Sequence, residues 1–252
     1  MDVWIYDLNR GTMTRLTTAS AADDTPVWTP DGRHITFASN RDGPMNLYWK
    51  PADGSGPTER LTESDDEHWP QSWSPDGRVL AFANGSDNIH YDVWILPIEG
   101  ERKPVPFLET PFRDQAAHFS PDGRWIAYLS DESGRLEVYV RPYPGPGPRH
   151  QISTNGGLDP LWAHDGEEIF YRTNDDETMV VPVRLTPEFK AGNPKMLFEG
   201  RFMSGYQQVL RYDITPDGQR FVMVESEGES QPTEIIVVLN WFQELNRLVP
   251  TE

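Results

Sequence analysis

Cysteine is absent from all 252 residues of the sequence. Disulfide bridges, zinc–thiolate sites and a cysteine nucleophile are therefore excluded. No apolar run approaches the ~20 residues of a membrane-spanning helix, so we expect no membrane span in this chain. The first residues, MDVWIYDLNR, lack the basic and then apolar order of a signal peptide. A protein without disulfides can work on either side of a membrane, so the cysteine count leaves the compartment open.

Basic residues are scarce. The chain has 22 Lys and Arg against 40 Asp and Glu, a formal net charge of −18. Such a protein repels the phosphate backbone of nucleic acids, so we expect neither DNA nor RNA as a partner. The negative charge is compatible with binding of cations, binding of cationic partners, or solubility alone.

Local catalytic motifs are also missing. The sequence holds no Gly-x-Ser-x-Gly nucleophile elbow, no phosphate-binding glycine loop and no His-Glu-x-x-His zinc motif. Their absence makes serine hydrolases, nucleotide hydrolases and zincins less favoured as functions. A catalytic site assembled from distant residues stays open, because it needs no local motif.

Turn-forming residues, by contrast, are abundant, with 20 Gly and 23 Pro. The tripeptide Pro-Asp-Gly recurs, with a degenerate His-Asp-Gly copy, and its aspartates are Asp31, Asp76, Asp122, Asp165 and Asp217. The intervals of 43 to 52 residues match one four-stranded propeller blade per repeat. Proline fixes φ, aspartate bonds the local backbone and glycine accepts positive φ, so we expect these tripeptides to be structural hairpin turns.

The segments around each turn predict an all-β fold, a β-propeller of four-stranded antiparallel blades in a single domain, 1–252. An aromatic residue usually precedes the turn, and apolar strands such as HITFAS and VLAFAN follow it. The predicted parts are a blade remnant at 1–18, repeats at about 22–62, 67–108, 113–153, 157–199 and 207–240, and a C-terminal helix at 241–249. Joining the remnant to the last repeat favours five blades, with a six-bladed or incomplete ring as the alternative. An incomplete blade would expose a strand edge, which could drive homodimer formation.

Four aromatic residues recur at one place in the third strand of the repeat: Trp4, Tyr48, Trp94 and Tyr139. We expect each to be a wedge between blades.

The repeats resemble the WD40-like (PD40) repeat of TolB-type β-propellers, in which an aromatic residue is followed by Ser-Pro-Asp-Gly and an apolar strand. The stretches NLYWKPADGSG, PFLETPF and VVLNWFQELNRLVP look like the C-terminal propeller of bacterial membrane-anchored serine/threonine kinases. That resemblance implies an extracytoplasmic or periplasmic sensor or interaction module within a larger receptor-type protein. No kinase motif is present, so kinase activity would belong to a missing upstream part.

Acidic residues concentrate in two classes of loop that open on one face of a propeller. Loops that enter each first strand contain Asp23, Asp24, Asp65, Asp66, Glu67, Asp114 and Asp159. Loops between the second and third strands contain Asp42, Asp87, Asp131, Glu132, Asp175, Asp176 and Glu177. A ring of carboxylates could hold a hard divalent cation such as calcium, although acidic loops are often only solvated surface.

Candidate site residues follow from this geometry. Possible metal ligands are Asp24, Glu67, Asp114 and Asp159. Possible catalytic residues are His68 and Asp114, with the histidine as a general base. Possible ligand-binding residues are Glu67, His118, Arg113 and Arg211, although each arginine could instead pair with an acid.

Two functions fit these residues. The first is a module that binds a protein, peptide or small-molecule ligand at the acidic face. The second is a metal-dependent hydrolase acting on phosphotriesters, esters or lactones, with a cation at the mouth of the channel.

Overall fold

A computed structural model describes residues 1–85, 90–203, 210–224 and 236–237. This part of the chain forms β-strands joined by turns and contains no helix, so none that could cross a membrane. The helix predicted at 241–249 lies outside the described residues. The strands are β1 (Trp4–Asp7), β2 (Thr12–Arg15), β3 (Asp23–Trp28), β4 (His34–Ser39), β5 (Asn46–Pro51), β6 (Glu59–Arg60), β7 (Glu67–Trp73), β8 (Val79–Gly85), β9 (Tyr91–Pro97), β10 (Val105–Leu108), β11 (Asp114–Phe119), β12 (Trp125–Ser130), β13 (Glu137–Pro142), β14 (His150–Gln151), β15 (Leu158–Trp162), β16 (Glu168–Arg172), β17 (Glu177–Arg184), β18 (Lys190–Ala191), β19 (Lys195–Glu199), β20 (Tyr212–Ile214), β21 (Phe221–Met223) and β22 (Ile236–Val237).

The strands form successive antiparallel sheets, one for each repeat. Blade 1 is β3-β4-β5-β6, blade 2 is β7-β8-β9-β10, and blade 3 is β11-β12-β13-β14. Blade 4 is β15-β16-β17-β18 with β19 also paired to β17, and the C-terminal sheet is β20-β21-β22. Each sheet meanders from its first strand outward, which is the order expected of propeller blades.

The N-terminal hairpin, β1–β2, forms a two-stranded sheet of its own. It repeats the third and fourth strands of a blade, because Val3 N bonds Thr17 Oγ1 as Leu47 N bonds Thr62 Oγ1, both at 3.0 Å. The predicted joining of this hairpin to the last sheet is not seen among the described strands, where β21 pairs with β20 and β22 instead. The number of blades and the homodimer through the open edge of β1 stay predictions, the latter testable by solution mass.

The core lies between the sheets. One apolar cluster joins blades 1 and 2 through Leu47, Trp73 and Phe82, and another joins blades 2 and 3 through Ile95 and Tyr139. Further clusters join blade 3 to blade 4, blade 4 to the C-terminal sheet, and the N-terminal hairpin to blade 1. Sheets that are covered on both faces need apolar residues on both faces, which explains the nearly continuous apolar second strands.

The aromatic wedges behave unequally. Tyr48 and Tyr139 are 2% and 3% exposed, and Trp94 is half-buried. Trp4 is 51% exposed, so the expectation that it wedges between blades is wrong for this residue. The reason is that the N-terminal hairpin packs against blade 1 on one side, and Trp4 points to the side that no described sheet covers.

The Pro-Asp-Gly tripeptides are hairpin turns, as the sequence predicts. In the turn of blade 2, Ser74 Oγ donates to Asp76 Oδ1 at 2.6 Å, and Arg78 N donates to the same oxygen at 3.1 Å. The hydrogen bond from Ser74 is the main cause that lowers the pKa of Asp76 from its ordinary value. The other turns repeat these bonds at Asp31, Asp122 and Asp217. These aspartates are therefore occupied by turn backbone and are not candidates for catalysis.

The turns of blades 2, 3 and 4 also touch the turn of the blade before, whereas nothing lies within 4 Å of a Cβ added to Gly218 in the C-terminal sheet. A Cβ atom on Gly123 would lie 3.3 Å from Pro75 Cδ, and one on Gly77 would lie 3.9 Å from Pro30 Cδ. Gly166 approaches Pro121 in the same way, at 3.8 Å. The recurring tripeptide therefore closes a hairpin and spaces neighbouring blades at once.

The substitution Gly123→Ala tests this double role. Its φ of +70° costs alanine about 1 kcal/mol, and the Cβ adds a close contact with Pro75. The matched control is Gly32→Ala, which has φ +66° but nothing within 4 Å of the added Cβ. Urea unfolding should show both variants destabilised and Gly123→Ala destabilised more. Equal losses would contradict a contact between successive turns.

Candidate ligand-binding cavity

The first strands of the blades surround the centre of the molecule and share an irregularity. Each has a shift of register in the middle, between Asp24/Val27, Pro70/Ser72, Gln115/His118 and Leu158/Leu161. Thr25, Ala116 and Asp159 take positive φ of 49°, 53° and 53° there. A β-bulge re-aims the side chains that follow it, so residues after the bulge point differently from those before it.

Hydrogen bonds from side chains tie adjacent first strands together. Ser72 Oγ of blade 2 donates to Ala117 O of blade 3 at 2.8 Å, and Trp162 Nε1 of blade 4 donates to His118 O at 2.9 Å. Tyr212 Oη donates to Asp159 O at 2.8 Å and so connects the C-terminal sheet to blade 4. No strand ladder joins adjacent blades among the described strands, so these bonds satisfy backbone groups at the inner edges and fix the central wall.

Before the bulge, one position of the first strand carries Asp23, His68 and Asp114 in successive blades, and all three are at most 4% exposed. Asp23 Oδ1 accepts from Arg41 Nη2 at 2.9 Å, and Asp114 Oδ2 accepts from Thr110 Oγ1 at 2.6 Å. Burial raises the pKa of Asp114 above its ordinary value. Asp114 is therefore bonded within the wall, whereas Asp23 is bonded through Oδ1 alone and its Oδ2 is buried without a hydrogen-bond partner.

His68 occupies this same wall position. Its Nδ1 lies 2.9 Å from Thr62 Oγ1, and its ring packs 4.7 Å from that of Phe82. Burial lowers its pKa to about 4, against a hydrogen bond to Asn84 that acts in the opposite direction. Such an imidazole is neutral near pH 7. Its partners lie in blades 1 and 2, whereas those of Asp114 lie in blades 2 and 3, so the predicted catalytic pair does not share a hydrogen bond.

The predicted metal ligands do not converge. Asp24 Oδ1 accepts from the neighbouring Thr25 N at 2.7 Å, Glu67 begins β7, and Asp159 is 2% exposed within β15. Across residues 1–85, 90–203, 210–224 and 236–237, no three His, Asp or Glu side chains form a group able to hold a metal ion. No observation in this part of the chain favours the hydrolase hypothesis.

The two classes of acidic loop do meet on one face, as the sequence predicts. Arg113 N of an entering loop donates to Asp131 Oδ1 of a second-to-third-strand loop at 3.0 Å. The acids of these loops bond locally, as Asp42 Oδ2 does with Tyr48 Oη at 2.7 Å. Arg113 itself is engaged, with Nε donating to Gln115 Oε1 at 3.1 Å and its guanidinium 5.6 Å from the Tyr91 ring. Arg113 is therefore part of the loop packing.

A cavity of about 560 Å³ lies at the centre, bounded by the first strands. Blades 1 and 2 contribute Trp28 and Trp73, and blade 3 contributes His118. The C-terminal sheet contributes Arg211 and Asp213. Trp28 is 51% exposed, whereas Trp73, at the equivalent position of blade 2, is 7% exposed. The cavity thus combines an accessible aromatic wall with polar groups, which is typical of small-molecule sites.

Two of the predicted ligand-binding residues, His118 and Arg211, therefore line one cavity. Burial lowers the pKa of His118 to about 4, so its ring is neutral near pH 7. Neither its ring nitrogens nor the Arg211 guanidinium has a hydrogen-bond or ion-pair partner within the described residues. Arg211 and Asp213 are the two charged residues among those described that line the cavity.

Asp213 is a cavity residue that the sequence analysis missed. Its Oδ1 accepts from Ile214 N at 2.8 Å, and desolvation by the surrounding protein raises its pKa from 3.8. The available signal was its spacing from Arg211, because residues two apart on a strand project from the same face. Trp28 was identified only as a turn-flanking aromatic, because its exposure depends on how the sheets are arranged.

Comparison with known proteins identifies the fold. Residues 1–104 match the family model described as the TolB beta propeller domain, PD40. The crystal structure of TolB from Acinetobacter baumannii superposes on 89% of this chain with a TM-score of 0.68 and 20% identity. The fold is that of a TolB-like, WD40-like β-propeller. The match covers 54% of the Acinetobacter chain, so this TolB-like propeller spans about half of that protein's length.

Two further similarities concern proteins of different kinds. The uncharacterized protein Atu1656 of Agrobacterium fabrum is 40% identical over 68 residues, which are 27% of the TolB-like propeller and 23% of that protein. An oligogalacturonate lyase in complex with manganese superposes with a TM-score of 0.55 and 14% identity, over 96% of this chain and 82% of that one. At such identity the lyase shows a shared fold alone, because one propeller scaffold hosts many functions.

Proposed function

We propose that this TolB-like propeller is a ligand-binding module, part of a larger receptor-type protein, and that its ligand occupies the central cavity. The observation that carries the proposal is that His118 and Arg211, on separate sheets, line one accessible cavity, and that their side chains have no hydrogen-bond or ion-pair partner within the described residues. Polar groups that converge on a cavity unpaired are available to a ligand. The resemblance to kinase propellers supports an extracytoplasmic location.

The fixed wall supports binding to a preformed site. Side-chain bonds such as Ser72 to Ala117 O and Tyr212 to Asp159 O connect the first strands. A ligand that enters such a cavity orders few additional groups, so less conformational entropy opposes binding.

The test is a thermal-shift screen with fractionated small-molecule extracts. We expect at least one fraction to raise the melting temperature of the wild-type protein, since a ligand bound only to the folded state stabilises it. The variant His118→Trp fills part of the cavity and should lose that shift. The matched control, Thr14→Trp, adds the same side chain to an exposed strand position and should keep it. Shifts that His118→Trp retains in full would contradict binding in the cavity.

A further inference from the structure

The two charged residues of the cavity carry opposite charges and lie two positions apart in the sequence. Arg211 immediately precedes β20 and Asp213 is its second residue, and both line the cavity. Positions two apart on a strand are separated by about 6.6 Å, a span that an arginine side chain can bridge, as Arg135 does to Glu137 at 2.9 Å. No ion pair joins them in the described structure. The cavity therefore presents a cationic and an anionic group side by side.

Net charge limits which ligand can use this arrangement. The chain carries −18 overall, which disfavours the approach of a purely anionic ligand. A purely cationic ligand would be attracted but would face the Arg211 guanidinium. A ligand with a carboxylate and an ammonium group is neutral overall and can pair with both residues.

The uncharged residues of the cavity wall indicate the polarity of the ligand's remaining part. Trp28 and Trp73 supply aromatic surface, and Leu161 and Val222 supply aliphatic surface. His118 is neutral near pH 7 and adds hydrogen-bonding capacity without charge. The body of the ligand that lies between its charged group and this wall should be apolar.

We propose that the cavity binds a free α-amino acid with an apolar side chain, its carboxylate on Arg211, its ammonium group on Asp213 and its side chain against Trp28 and Trp73. This inference rests on the proposed function, because it names the ligand class of the same cavity. Asp213 Oδ1 keeps its bond from Ile214 N, and Oδ2 remains to accept from the ammonium group.

Isothermal titration calorimetry with L-phenylalanine, L-leucine and L-tryptophan tests the proposal. We expect at least one of them to bind, and its N-acetyl and amide derivatives to bind at least about tenfold more weakly, since each lacks one charge-assisted contact. A blocked derivative that binds as well as the free amino acid would overturn the assignment.

Two variants separate the charged contacts. Arg211→Gln should weaken the free and N-acetyl forms and spare the amide, whereas Asp213→Asn should weaken the free and amide forms and spare the N-acetyl form. The control Arg220→Gln removes a cation of the same sheet that does not line the cavity, and it should bind as wild type does. Variants that fail to produce this crossed pattern would also overturn the assignment.

The extract screen distinguishes the two proposals. If an extract fraction shifts the wild type but not His118→Trp, and no apolar amino acid binds, the cavity binds another ligand and only the amino-acid proposal fails. If amino acids bind to His118→Trp and wild type alike, the cavity is not the site and both proposals fail.

Discussion

Phe82→Ala is expected to destabilise the folded protein by about 3–5 kcal/mol, through lost burial and the cavity that it leaves. Phe82 lies in β8, is fully buried, and packs with Leu47, Leu80 and Leu96 between blades 1 and 2. A side chain held between two sheets leaves a space that neither sheet can fill without moving the other. Domains are stable by about 5–15 kcal/mol in total, so the loss is a large fraction.

Urea unfolding measures this change as a lower midpoint. The matched control is Phe112→Ala, because Phe112 is 39% exposed and its replacement should cost much less. Equal losses for the two phenylalanines would show that the contact between blades 1 and 2 contributes little to stability.

The second large effect concerns pH. His68 has a folded pKa of about 4, because burial disfavours the imidazolium, against 6.5 for an ordinary histidine. Above pH 6.5 both states are neutral and stability does not depend on this group. As pH falls from 6.5 towards 4, the unfolded chain binds a proton that the folded protein excludes, so the folded state loses about 3 kcal/mol.

Unfolding free energies of the wild type and His68→Gln at several pH values isolate this contribution. His118 has the same sign and the same pKa of about 4, and Asp114, whose pKa burial raises, acts in the opposite direction, so the wild-type curve alone mixes several groups. The difference between the two proteins should be constant from pH 7 to 8 and should shrink by about 3 kcal/mol towards pH 4. A constant difference down to pH 4 would show that His68 is accessible to protons in the folded protein.

The fold was predictable because its determinants are local and repeated. The Pro-Asp-Gly turn with its preceding aromatic specifies a hairpin at each copy, and Asp76 and Gly77 perform in the structure the roles that their residue types predict. The exposure of Trp4 was not predictable, since it depends on which sheet lies next to the N-terminal hairpin. Local patterns determine the blade, whereas closure depends on contacts between distant ends.

The candidate site was predictable only in part, for a geometric reason. Position along the chain places His68, Asp114 and His118 on the first strands of their blades. The position of the β-bulge determines which of these residues faces the cavity. The bulge could not be predicted from the sequence, because the residues at that position, Thr25, Ala116 and Asp159, are of different types. His68 and Asp114 precede the bulge and are buried in the wall, while His118 follows it and lines the cavity.

The contacts between successive turns have a consequence for how such a protein can change in length. In blades 2, 3 and 4 the glycine of the turn meets the proline of the turn before it, so blades 2 and 3 present a glycine to one neighbour and a proline to the other. Contacts of this head-to-tail kind are heterologous, and they extend indefinitely unless the rotation per unit closes a ring. The turn thus specifies the surface that a neighbouring blade must present, but it does not specify the number of blades. An additional blade of the same kind would find complementary turns on both sides.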